Sequence, residues 1–173
     1  MQGSQAVETE PQVLGLSESF ERFYVRSYQP IVALAHALTG SPTLAEELAQ
    51  EAFLATFSAW DRIDNPEGWV RAVVSNRARS WFRRRYAEMR AISRTQAHQA
   101  RGVSEMPADT AHFWTEVRHL PRRQAQVIAL VYLEDLSVHQ AAQILGCSES
   151  TARVHLSRGR RTLATVFGVE EES

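Results

Sequence analysis

The sequence predicts an all-α protein built as two small helical domains joined by a flexible linker. Apolar residues recur at three- and four-residue spacing through most of the chain, the signature of helices with one buried face. Glycine totals 8, and no alternating apolar–polar stretch bounded by turn residues offers a strand. Near the middle the composition shifts to Gln, Ala, Ser, Gly and Pro in "RTQAHQARGVSEMPAD", with Gly102 and Pro107 as breakers. The chain has 173 residues, 44% of them hydrophobic, which is enough for two modest cores. The expected divisions are a disordered tail over 1–15, a first domain over 16–94, a linker over 95–110, a second domain over 111–168 and an acidic tail over 169–173.

The first helix is expected to open at Ser17, with Phe20, Phe23, Tyr24, Tyr28, Ile31 and Leu38 at helical spacing and Gly40 ending it. Pro30 should kink or split it, because proline has no N–H for the helical ladder. The second helix starts at "SPTLAEELAQ", with Pro42 near N1 and Thr43 and Glu46 spaced as a capping box. Its apolar stripe is Leu44, Leu48, Ala52 and Ala55, widened by Phe57, while Glu46, Glu47, Gln50 and Glu51 fall off it. In "NPEGW", Asn65 caps a third helix, Pro66 takes N1, and the pattern runs to about Arg94. After the linker come "AHFWTEVRHL" and a helix started by Pro121 that carries Val127, Ile128, Val131 and Leu133.

The sharpest local signal is "LSVHQAAQILGCSESTARVHLSRGRRTL". Ser137 and Gln140 form a capping box, Gly146 ends a short helix, and Ser148 caps the next after a tight turn. Ala142 precedes Gly146 by four residues, where the helices must approach closely. Ala152, Leu156, Gly159 and Leu163 make the inward stripe of the last helix. This is helix-turn-helix architecture. At about 100° per residue, Ser150, Arg153, Val154, Ser157 and Arg161 project opposite that stripe. Arg153 is the candidate for reading a guanine edge. Thr151, Arg158, Arg161 and the pair Arg122 and Arg123 suit phosphates, as do the free N–H groups after Ser148.

The formal net charge of −1 hides an asymmetry. All 19 basic residues are arginine, and nine of them lie between Gly68 and Arg101 against one acid, Glu88. Arginine suits planar, bidentate contacts to phosphate and guanine. Asn76, Arg79, Arg83, Arg90 and Arg94 cluster on one face of the third helix, with Val70, Val74 and Trp81 on the other. Arg77 and Arg84 fall near the apolar side and are expected to snorkel or to pair with acids of the second helix. A phosphate backbone is the preferred partner of the basic face, with Asn76 and Ser80 placed to reach bases. Two such helices on tethered domains suggest two sites on one duplex.

Other classes are excluded or disfavoured. One cysteine, Cys147, rules out an internal disulfide and a cysteine zinc site, and its neighbours make it a packed small hydrophobe. The opening "MQGSQAVETEPQ" has no basic and apolar signal pattern, and no run of about 18 apolar residues offers membrane insertion, so a cytoplasmic protein is expected. No nucleophile–base spacing, glycine-rich phosphate loop, metal cluster or cofactor motif is seen, so no catalytic residue is assigned and no enzyme activity is expected.

From about Leu16 to Phe167 the chain resembles the two-domain extracytoplasmic-function (ECF) RNA polymerase sigma factors of the sigma-70 family. "LTGSPTLAEELAQEAFLATFSAW" and "NPEGWVRAVVSNRARSWFRRR" resemble sigma region 2, and "LPRRQAQVIALVYLEDLSVHQAAQILGCSESTARVHLSRGRRTL" resembles sigma region 4. The resemblance implies that Glu47, Gln50 and Glu51 dock on the β′ clamp helices of core RNA polymerase, with the β flap as a further contact. It implies that Asn76, Arg79, Ser80 and Arg83 engage the −10 element, where a base is flipped from the stack. The −35 element would be read as duplex through Arg153, Val154, Ser157 and Arg158, beside Ser150 and Thr151. Val154 and Ser157 depart from the family pattern, in which a polar and a larger residue are common. An anti-sigma factor is an expected partner, and the promoter sequence is left open. Two rivals predict other behaviour: a one-component helix-turn-helix regulator acting as a homodimer on a palindrome, and a recombinase or transposase, which needs a second acidic cluster.

Overall fold

The computed structural model describes residues 18–91 and 108–169, with the side chains of 18–78 and 109–169. Among these residues there are seven α-helices and no strand. They are α1 (Phe20–Thr39), α2 (Pro42–Ser58), α3 (Pro66–Ala91), α4 (Ala108–His119), α5 (Arg122–Tyr132), α6 (Val138–Leu145) and α7 (Glu149–Phe167), with a short 3-10 turn at Trp60–Arg62.

The N-terminal half is a bundle of α1, α2 and α3. Ser19 caps α1 by accepting from Arg22 N, so the cap lies two residues beyond the expected Ser17, which is outside the described residues. Pro30 does not split the helix. It is exposed, so the carbonyl it leaves unbonded faces solvent, while Phe23, Ile31, Leu34 and Leu38 bury the opposite face. The capping box expected at Thr43 is corrected: Ser41 is the cap, its hydroxyl accepting from Leu44 N at 3.4 Å, and Thr43 stands inside the first turn. Phe53 fills the core and Phe57 is 59% exposed, because the stripe turns through Leu44, Leu48, Ala52 and Thr56. Asn65 caps α3 by accepting from Gly68 N at 3.0 Å, and Val70 and Val74 are fully buried. Trp81, Arg84 and Arg90 have side chains outside the described ones, and Arg94 lies outside the described residues.

The C-terminal half packs α5 and α6 against α7, with α4 beside α5. Helix α4 begins at Ala108 and takes in three residues that the composition shift assigned to the linker; residues 95–107 lie outside the described part. Trp114, Val117, Val127, Ile128, Leu130, Leu145 and Leu163 form its core, and Cys147 packs half-buried at the edge.

The two halves meet along α3 and α6 and along α1 with α4 and α5. Arg71 Nε donates to Glu134 Oε2 at 2.6 Å, and that carboxylate is 4% exposed. Gln126 Nε2 donates to the Ser75 carbonyl at 2.7 Å, from a position 2% exposed. Arg118 lies over the carboxyl end of α1, donating to Ala37 O at 3.4 Å and to Thr115 Oγ1 at 2.9 Å. A cation there meets the negative end of the α1 dipole, and burial draws its pKa down.

Candidate nucleic-acid interface

Local sequence builds the α6–α7 unit. Ser137 accepts from Gln140 N while the Gln140 side chain accepts from Ser137 N, closing the capping box. Gly146 adopts φ 62°, the left-handed conformation that ends α6 at low cost in a residue without Cβ. The chain turns back at once, Cys147 N donating to Ala142 O at 3.0 Å. Ala142 is buried there. Ser148 then caps α7, accepting from Thr151 N at 3.1 Å, with the Ser150 and Thr151 hydroxyls at 2.9 and 2.7 Å from its own. Ala152, Gly159 and Leu163 are buried and Leu156 is partly so, which is the expected inward stripe.

The opposite face is open. Ser150, Thr151, Arg153, Val154, Ser157, Arg158 and Arg161 are all exposed, joined by Arg160. Val154 is 47% exposed, an apolar spot among polar neighbours that suits a thymine methyl. Arg122 and Arg123 are half-buried at the start of α5, and Arg123 Nη1 donates to Leu145 O at 3.0 Å. That bond closes the carboxyl end of α6, so Arg123 has a structural attachment that spacing did not announce.

On the N-terminal half, Asn76 is exposed on α3. The side chains of Arg79, Ser80 and Arg83 lie outside the described ones. Arg77, the misfit on the helical wheel, is exposed and forms an ion pair with Glu51, so it pairs with an acid of α2 as expected. Glu47, Gln50 and Glu51 stand together on the exposed ridge of α2, which continues into Leu54, 67% exposed. The structure thus groups the acidic ridge on α2 and the outward set on α7 as two surfaces. Sequence reasoning missed Glu149 and His139. The Glu149–Arg153 spacing of four residues was legible as a helical ion pair, but nothing local placed His139 of α6 beside them.

Two family models match the chain: "Sigma-70 region 2" over residues 23–88 and "Sigma-70, region 4" over residues 113–163. The chain belongs to the sigma-70 family. Its relatives place this sigma factor in the ECF branch. It is 26% identical over 163 residues to the ECF RNA polymerase sigma factor EcfG of Rhodopseudomonas palustris, covering 90% of this chain and 88% of that protein. It is 29% identical over 163 residues to a probable RNA polymerase sigma factor, RfaY, of Xanthomonas campestris pv. campestris, covering 86% of this chain and 40% of that longer protein. The fold matches the sigma factor RpoE in its co-crystal structure with the anti-sigma factor NepR from Bartonella quintana, at TM-score 0.73 and 22% identity, over 88% of this chain and 98% of that one. A two-domain, all-helical layout of regions 2 and 4 therefore describes the sigma factor. No described helix is long and apolar enough to cross a membrane.

Proposed function

We propose that this sigma factor binds core RNA polymerase and directs it to promoters, reading the −35 element as duplex and engaging the −10 element as it melts. The observation that carries the reading is the outward face of α7, where exposed arginine, serine and valine side chains lie on a helix capped at its start by Ser148. Arg153 takes a guanine edge, Val154 and Ser157 meet neighbouring bases, and Ser150, Thr151 and Arg158 lie beside them. Arg122, Arg123 and Arg161 meet phosphates. On α3, Asn76 and Ser80 face exposed bases and Arg79 and Arg83 track the strand, offsetting a flipping cost of a few kcal/mol.

Glu47, Gln50 and Glu51 on the α2 ridge dock on the polymerase β′ clamp helices, and the C-terminal half meets the β flap. Phosphodiester synthesis belongs to the core enzyme; the sigma factor contributes binding energy and position. An anti-sigma factor is the partner expected to hold it inactive in the cytoplasm, a reading supported by the complex in which the Bartonella relative was solved.

Run-off transcription with core polymerase and a randomised promoter library tests the reading. Enrichment of paired −35 and −10 sequences is expected. A core enzyme that ignores the protein and starts no RNA with it would overturn the proposal, as would a stable homodimer acting on a palindrome without polymerase. Glu51→Arg is expected to impair holoenzyme assembly while duplex binding persists; unchanged assembly rejects the docking role.

A further inference from the structure

Arg153, the proposed base reader, is not a free arm. Its Nε donates to Glu149 Oε1 at 3.0 Å, and its Nη2 donates to the same oxygen. The other oxygen of that carboxylate, Oε2, lies 3.1 Å from Nδ1 of His139 on α6. One carboxylate therefore ties both helices of the helix-turn-helix to the guanidinium. These bonds, first from Arg153 and then from His139, hold the Glu149 carboxyl below its ordinary range.

An acid in the first turn of α7 has an ordinary explanation in the helix dipole. That explanation asks only for charge near the N–H groups. It does not ask for one oxygen on Arg153 and the other on a residue of the preceding helix.

We infer that Glu149 is a specificity-determining positioning residue, which holds the Nε edge of Arg153 so that its remaining amine hydrogens meet a guanine edge, with His139 bracing the carboxylate. The inference rests on the base-reading role of Arg153 proposed above. Nη1 and the second hydrogen of Nη2 are left for a bidentate contact to guanine O6 and N7. A guanidinium held before binding loses less rotamer freedom on contact. The neighbouring acid also disfavours bases that offer acceptors in the wrong place, so it sharpens choice more than it adds affinity.

The test uses the full-length protein assembled with core polymerase on promoters randomised across the −35 element. Wild type is expected to enrich guanine at one position, and Arg153→Ala to abolish that enrichment. Glu149→Gln should reduce it on the order of tenfold, the scale of one bidentate contact, with binding to other sequences kept or tightened. In the Arg153→Ala background Glu149→Gln should cause no further loss of discrimination. Glu149→Asp keeps the charge at the helix end but shortens the reach, and should lose enrichment as Glu149→Gln does. Enrichment retained in either variant overturns the inference, and so does a loss equal on every sequence, which is what a simple helix-end charge would give. If Arg153→Ala itself leaves discrimination intact, the base-reading role falls as well, so the two failures are distinguishable.

Discussion

Gly159 of α7 lies buried against α5. A Cβ built there would lie 2.6 Å from Ile128 Cδ1 and 3.3 Å from Gln124 Cβ, both on α5. Gly159→Ala removes some unfolded-chain entropy and improves helix propensity, worth about 1 kcal/mol. The clash opposes this, since the Ile128 side chain is fully buried and has little room to give. Overpacking of this kind costs about 1–3 kcal/mol, so a net loss is expected in denaturant unfolding, with an unchanged or higher midpoint counting against it. Ser75 is the converse case. Its hydroxyl is buried without a hydrogen-bond partner beside Gln126, whose Oε1 is likewise unpaired. Ser75→Ala removes an unsatisfied oxygen and is expected to stabilise the protein by about 1 kcal/mol, read from the same unfolding curves.

At the scale of elements, the capped helices follow from local residues. Asn65, Ser137 with Gln140, Gly146 and Ser148 were legible as caps because each acts on backbone groups within four residues of itself. The start of α2 at Pro42 follows from its sequence, but the cap is Ser41 and not Thr43, because a proline whose ring fixes φ takes the first helical position and leaves the capping place to the residue before it. Pro30 does not divide α1, since the loss of one ladder bond on an exposed face is smaller than the burial of Phe23, Ile31 and Leu34 on the other. At Gly146 no atom crowds a Cβ, so Gly146→Ala isolates backbone strain. The left-handed conformation predicts a loss of roughly 1–2 kcal/mol, with recovery in Gly146→Asn, which tolerates that region. Equal losses in both variants would reject the strain account.

For the whole molecule, the junction between the halves adds long-range polar contacts to apolar packing. Glu134 is buried against Arg71, 63 residues away in sequence, so Arg71→Ala leaves a buried carboxylate unpaired. A loss of about 3 kcal/mol is expected from such a break, together with a larger radius of gyration in solution scattering as the halves part. An unchanged radius would show that the apolar contacts suffice. His36 gives the junction a pH dependence. It is half-buried in a crevice shared with Arg118 and Glu46, and burial, then the Arg118 charge, lower its pKa. The unfolded chain therefore takes up this proton more readily than the folded one. Stability should fall as pH drops through the ordinary histidine range, and level off below the folded value. Comparing unfolding midpoints from about pH 7.5 to about pH 5.5, His36→Gln should show a flatter curve than wild type; parallel curves would refute the coupling.

The amino-acid sequence by itself determined the helices, the caps from Asn65 onward, the helix-turn-helix and the residues of its outward face, because these depend on period, cap chemistry and side-chain type within a few positions. It also offered Arg77 a partner on α2 without naming Glu51. Tertiary structure alone decided that Arg71 meets Glu134, that Gln126 meets Ser75, and that His139 reaches the carboxylate holding Arg153. Those contacts join residues on separate parts of the fold, and their geometry is set by how apolar faces pack, which no local pattern encodes.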